Sequence, residues 1–235
     1  MKKATHILLL ILINQVIAVA QKEKVQTTPN YDKDPIQVGF LLGINKTDFF
    51  LHRKPTTNLL DSVYVIETTP QRGFDLQMVC NLRLGEYFDL RLLPGLSFVS
   101  RNINYTFVSP LQTLSYKKDV ESTFITLPLD LKYKSVRLNN YRVYVLGGLK
   151  YSIDMASNKD VNNSDLKVAI VKIKKQDLAY EFGFGLDIYF RYYKFSPEIK
   201  YAVGITNLLI QDNTAFSTPI QKLNSKCISL AFTFE

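Results

Sequence analysis

The chain has 235 residues and a formal charge of +8, from 29 Lys and Arg against 21 Asp and Glu, and its 14 Tyr and 15 Phe outnumber its 10 Gly and 9 Pro. This length suits one all-β domain, and the aromatic weight suits strands and membrane interfaces. Two Cys and two His are too few for a metal cluster or a dense disulfide framework.

Met1-Lys2-Lys3, the apolar run from Ile7 to Val19 and the small-residue end Ala18-Val19-Ala20 read as a signal peptide over residues 1–20. The run is short and interrupted by Asn14 and Gln15, which argues against a membrane anchor, and no Cys follows the cleavage site to carry a lipid. Export removes Lys2 and Lys3 and leaves +6 of the formal +8. No later stretch is long and apolar enough for a membrane helix. A basic exported chain meets lipid phosphates and anionic surfaces, so nucleic acid is not among the expected partners. Residues 21–34 form a polar segment, and residues 35–235 form one domain.

Within that domain eight stretches alternate apolar and polar residues with period two, as strands with two different environments do. The first, Ile36 to Phe49, sets Val38, Phe40, Leu42 and Ile44 against Gln37, Gly39, Leu41 and Gly43. The second runs from Arg72 to Leu84, the third from Phe88 to about Ser100, and the fourth from Thr123 to Tyr133. Tyr141 to Met155, Tyr180 to Phe190 and Phe195 to about Ile205 follow. The eighth is Ile228 to Glu235, with Ile228, Leu230, Phe232 and Phe234 on one face. Connections after strands two, four and six are short, and the others are long. Short turns alternating with long loops predict an all-β, eight-stranded antiparallel up-and-down transmembrane barrel, with tight periplasmic turns, long surface loops and both ends in the periplasm.

A soluble lipocalin-like barrel would turn the apolar face inward. The polar face argues against it, because it combines Gly with charges of both signs where a solvated face would carry Thr, Lys and Glu. Small residues and paired charges suit the narrow interior of an eight-stranded barrel, which side chains nearly fill. Asp89, Arg91, Asp130, Lys132, Arg142, Glu181, Asp187, Glu198 and Lys200 are therefore expected to form an ion-pair core in the lumen. Phe74, Phe88, Tyr133, Tyr141, Tyr180 and Phe195 stand where interfacial girdles are expected. A lumen closed by ion pairs is not a general diffusion pore.

Chemistry is sparse. Cys80 and Cys227 are placed at different depths, which predicts free thiols. His52 is expected to open the first surface loop near Asp48, Asp61 and Ser62. A surface His-Ser-acid site acting on lipid A is conceivable there, but a lone loop His is far more often simply solvated. Residues 166–175, with Lys167, Lys172, Lys174 and Lys175, suit phosphate-bearing lipid or an acidic protein surface, or extend strand six as a solvated basic edge. Residues 207–220, with Leu208, Leu209, Ile210, Phe216 and Ile220, expose apolar surface unless they fold over the barrel mouth or meet a partner. The same choice covers Val63, Val65 and Ile66 in the first loop. No catalytic residue, cofactor, metal or small-molecule substrate is expected.

Leu84-Gly85-Glu86-Tyr87-Phe88-Asp89-Leu90-Arg91-Leu92-Leu93-Pro94-Gly95-Leu96-Ser97-Phe98 resembles the most recognisable segment of the PorT (SprT) family of Bacteroidetes outer-membrane proteins. Ile125 to Tyr133, Asn139 to Tyr144, Glu181 to Asp187 and Pro197 to Tyr201 resemble the same family, so the likeness covers most of the barrel. The resemblance implies a component required for type IX secretion, which exports cargo with C-terminal sorting domains and supports gliding motility in some species. It offers no catalytic residues. Expected partners are outer-membrane lipid and lipopolysaccharide, the type IX components, and the barrel-assembly machinery, which would read Phe232 and Phe234 as an insertion signal. A surface-loop binding or adhesin-type barrel, or a lipid A hydrolase using His52, is the alternative.

Overall fold

The computed structural model describes residues 27–28, 30–54, 63–108, 113–155, 172–211 and 217–235. After a 3-10 turn at Tyr31–Lys33 come β1 (Ile36–Arg53), β2 (Val63–Arg83), β3 (Phe88–Leu92), β4 (Gly95–Val108) and β5 (Thr113–Lys134). β6 (Tyr141–Asp154), β7 (Gln176–Tyr189), β8 (Lys194–Gly204) and β9 (Ile220–Phe234) complete the sheet. All pairings are antiparallel, and β9 returns to β1 from Phe40↔Phe234 to Arg53↔Ile220, which closes the ring. The expected signal peptide lies outside the described residues.

β3 and β4 are one strand of the barrel, broken at Leu93 and Pro94. Proline has no N–H to give to a ladder, yet both neighbours hold their register across the break, with Cys80↔Leu92 and Gln77↔Gly95 on one side and Leu92↔Leu129 and Gly95↔Thr126 on the other. The Leu93 N–H reaches the Pro128 carbonyl at 3.0 Å, and the Pro94 carbonyl accepts from the Met78 N–H at 2.8 Å. The barrel thus has the expected eight walls, drawn from nine segments.

Several strands outrun the sequence windows. β2 begins at Val63 instead of Arg72, β5 at Thr113 instead of Thr123, and β9 at Ile220 instead of Ile228. These extensions rise past the apolar band, where neither face needs to be hydrophobic, so alternation fades and neighbour pairing alone defines the strand. Val63, Val65 and Ile66, read as loop, are therefore strand residues of β2.

Exposure settles which face meets which surroundings. The charged face points inward, with Arg91, Asp130 and Lys132 each 0% exposed. The apolar face points out, with Phe40 at 49%, Ile44 at 58% and Met78 at 69%. A soluble barrel does the reverse, because exposed apolar area costs about 25 cal/mol per Å² in water. An uninterrupted apolar belt over a closed sheet is stable where the surroundings are hydrocarbon, and closure leaves no unpaired strand edge there. Phe88, Tyr133, Tyr141 and Tyr192 stand exposed towards the short-turn end of the belt.

Candidate functional site

The interior is a column of buried polar side chains supplied by every strand. Glycines make it possible. On neighbouring strands Gly148 sits opposite Asp130, Gly185 opposite Tyr144, Gly43 opposite Asp75 and Gly183 opposite Lys200. A Cβ on Gly148 would collide with the Leu129 carbonyl and the Asp130 carboxylate, and one on Gly185 would collide with the Tyr144 ring and hydroxyl. Gly43, Gly148 and Gly185 leave the space that a larger polar neighbour fills, and Gly183 leaves that of Leu146.

The central layer is built on Arg91 and Lys200. Arg91 donates to Glu198 at 2.8 Å, and the Tyr144 hydroxyl donates to the same carboxylate oxygen at 2.7 Å. Lys200 lies 2.9 Å from Glu181, 3.6 Å from Glu198 and 3.7 Å from Asp130, so one ammonium serves three carboxylates. Towards the short turns Lys132 donates to both oxygens of Asp187 at 2.9 Å and lies 3.7 Å from the centre of the Tyr144 ring. Ser196 also donates to Asp187, at 2.6 Å. Lys134 pairs with Asp89 at 2.6 Å, and Lys194 pairs with Glu235 at 2.6 Å. Arg91, Asp130, Lys132, Glu181, Asp187, Glu198 and Lys200 thus lie together in one buried network, with Asp89 buried in its own pair with Lys134.

Arg142 is also inside, but its partner was not anticipated. It donates to both oxygens of Asp32, at 3.0 and 3.2 Å, and Asp32 belongs to the short segment before β1. Asp32 also accepts from Arg137 at 3.3 Å and from the Tyr189 hydroxyl at 2.8 Å. Arg137 further donates to the Thr27 and Thr28 carbonyls, while Tyr31 packs edge-on against Tyr189 at 6.0 Å. The described part of the segment read as polar, residues 27–28 and 30–34, is therefore docked across the short-turn end of the lumen. Burial, opposed by the nearby Lys194 ammonium, pushes the Tyr31 phenol up to about 12.

The long-loop end is closed by hydrophobic side chains. Phe49, Ile66, Ile103, Ile173, Leu208, Leu209, Ile220 and Leu223 form one buried cluster. Of the alternatives open to Leu208 and Leu209, the structure shows the fold over the barrel mouth: they are 2% and 5% exposed. The Ile173↔Leu209 bridge ties the two loop segments together, and burying their apolar side chains over the mouth is what removes them from solvent. Ile173 sits in that bridge, so residues 172–175 do not simply extend β7. Lys174 and Lys175 are exposed and Lys172 is half-buried, while Lys167 and Phe216 lie outside the described residues.

Between plug and ion-pair layer, the Arg101 guanidinium sits 4.7 Å from the Phe49 ring centre and 5.1 Å from that of Phe124. Below it is a cavity of about 40 Å³ lined by residues such as Thr47, Ser97, Lys150, Asp177 and Ser225. That volume holds a few waters.

His52 does not open a loop. It lies within β1, exposed, with its ring 4.8 Å from that of Phe50. Asp61 and Ser62 lie outside the described residues. Cys80 is exposed and Cys227 half-buried, and both are free thiols. Phe234 stacks on Phe40 at 5.0 Å across the seam that closes the ring, and Phe232 faces Phe195 at 6.1 Å.

The family model described as "Outer membrane protein beta-barrel domain" matches residues 19–209. No curated protein matches the chain. Among solved structures, the outer membrane protein OprG from Pseudomonas aeruginosa is similar at 12% identity, with a TM-score of 0.46 over 83% of this chain and 94% of that one. Neisserial surface protein A is similar at 9% identity, with a TM-score of 0.42 over 85% and 98%.

Proposed function

The chain belongs to the outer membrane protein beta-barrel domain family, and from that premise we propose that it is a non-catalytic barrel of PorT type, required for type IX secretion as an assembly or interaction factor. The observation that carries this reading is the filled lumen. A barrel whose axis is occupied by Arg91, Lys200 and their carboxylates works through its loops, rims and outer wall, as an interaction factor does. The segments that resemble the PorT family are also those that supply this core: 84–98 brings Asp89 and Arg91, 125–133 brings Asp130 and Lys132, 181–187 brings Glu181 and Asp187, and 197–201 brings Glu198 and Lys200.

In this reading the short turns and both chain ends face the periplasm, where the segment docked through Asp32 closes the lumen. The exposed Lys174 and Lys175 stand at the outer surface, available to type IX components or to lipopolysaccharide phosphates. Phe232 and Phe234 serve the barrel-assembly machinery before they pack into the closing seam. A lipid A hydrolase finds little support in His52, which meets an aromatic ring and, among the described residues, no carboxylate or hydroxyl at hydrogen-bond distance.

The test is deletion of the gene in its native host, followed by quantitative proteomics of medium, periplasm and cell. Sorting-domain cargo should accumulate in the periplasm, and a His52→Ala copy should restore export. Normal export in the deletion strain overturns the proposal.

A further inference from the structure

On the outward face, where the apolar belt ends towards the long loops, Lys46 of β1 stands directly opposite Arg72 of β2. Both side chains are exposed. Directly paired residues on antiparallel strands bring their Cβ atoms to about 4.5–5.5 Å, and like charges placed so are destabilising. Neither cation has an ion-pair partner among the described residues. The other neighbour of Lys46 is Ile228, and the nearest carboxylate along the strand, Asp48, accepts a hydrogen bond from the Phe49 N–H at 2.8 Å and stands opposite Lys226. The pair therefore carries positive charge in need of an anion.

Its depth names the kind of anion. The next outward pair is Ile44 and Phe74, exposed at 58% and 53%, and the outward face of β1 is apolar from there down to Ile36. That run is roughly 27 Å along the strand, which a tilted strand needs to cross the hydrocarbon layer. Lys46 and Arg72 come one step, about 7 Å of strand, beyond it. This is where lipid headgroups begin.

A groove completes the site. β2 carries one extra residue against β4, since its register shifts between Pro70↔Arg101 and Phe74↔Phe98. Such a bulge bends the strand and re-aims its side chains. Beside it opens a hollow of about 360 Å³ lined by Arg72, Phe74, Phe98, Ser100 and Thr123. Phe74 and Phe98 stack at 4.4 Å as its apolar side, and the small Ser100 and Thr123 leave its depth.

We propose that Lys46, Arg72 and this groove bind one phosphate-bearing lipid of the surrounding leaflet, with the phosphate between the two cations and an acyl chain along Phe74 and Phe98. The site rests on the membrane reading of the barrel and, for the outer leaflet, on the long loops facing outward.

The experiment uses the full chain in detergent, incubated with monophosphorylated lipid A or its dephosphorylated form and examined by native mass spectrometry. The wild type should retain the phosphorylated lipid at least tenfold better than the dephosphorylated one. Lys46→Gln with Arg72→Gln should lose that preference while keeping the wild-type heat-modifiable migration, and Lys46→Arg should preserve it. Equal retention of the two lipids, an unchanged preference in the double variant, or release of the lipid by millimolar inorganic phosphate overturns the site. An epitope inserted after Gln211 and detected on intact cells tests orientation separately. Failed lipid discrimination in a correctly oriented barrel thus condemns the site alone.

Discussion

Arg91 and Lys200 differ in how many charges depend on them, and this ranks the consequences of removing each. A buried ion pair contributes little net stability against a well-packed apolar pair, but removing one partner strands the other and costs about 3–5 kcal/mol. Arg91 holds Glu198 at 2.8 Å with the Tyr144 hydroxyl as a second donor, so Arg91→Ala leaves that carboxylate one neutral hydrogen bond and a more distant ammonium. Its heat-modifiability midpoint should fall, and an unchanged midpoint would mean that the lumen is solvated. Lys200→Met takes the ammonium from both Glu181 and Asp130, leaving Glu198 to Arg91, and should lower the midpoint further than Arg91→Ala. Pairing Arg91→Met with Glu198→Leu should recover part of the loss, since neither charge then remains buried alone.

The strands were legible in the sequence because membrane and lumen impose opposite demands on alternate residues, so the period of two is written from Ile36 to Ile44, again from Ile125 to Tyr133, and in β8. What escaped was everything that period does not govern. Asp32 lies in a segment of three helical residues with no periodicity, and nothing local links it to Arg137, Arg142 and Tyr189, all more than a hundred residues away. Lys134, Lys194 and Glu235 sit at strand ends, where alternation cannot be told from a turn. Leu208 and Leu209 were visible as apolar loop residues, but only their packing on Phe49 and Ile103 shows that they face the mouth. The docked N-terminal segment carries its own prediction. Because the Tyr31 phenol is raised from 10.0 to about 12, its neutral form is favoured in the docked state. The stability tied to it is fully present below pH 10 and is lost as pH rises through about 12. A difference absorbance titration of the wild type against Tyr31→Phe should place this tyrosine near 12, whereas a step at 10 would show the segment undocked in solution.

Taken along its axis, the molecule is closed by three devices of different chemistry: the Asp32 clamp at the short turns, the Arg91 and Lys200 layer at the centre, and the apolar cluster around Leu208 at the loops. Ions crossing this path would have to displace buried ion pairs, each of which must be replaced by another partner or leave a charge in a low-dielectric interior. The purified chain in planar bilayers should therefore show no steady channel current. The devices are in series, so opening one should not open the barrel. Leu208→Ala with Leu209→Ala loosens the loop-side plug and should lower thermal stability by about 2–5 kcal/mol per buried leucine, yet leave the bilayer silent because the central layer is intact. Only when Lys200→Met and Asp32→Ala are both added should discrete conductance appear, as Glu181 and Asp130 lose their ammonium at the centre and the clamp at the short turns opens. Conductance in the leucine variant alone would place the seal at the mouth and demote the ionic layer to a packing role; silence in the combined variant, provided it still folds to a heat-modifiable barrel, would place it in the Lys132–Asp187 and Lys194–Glu235 pairs that remain.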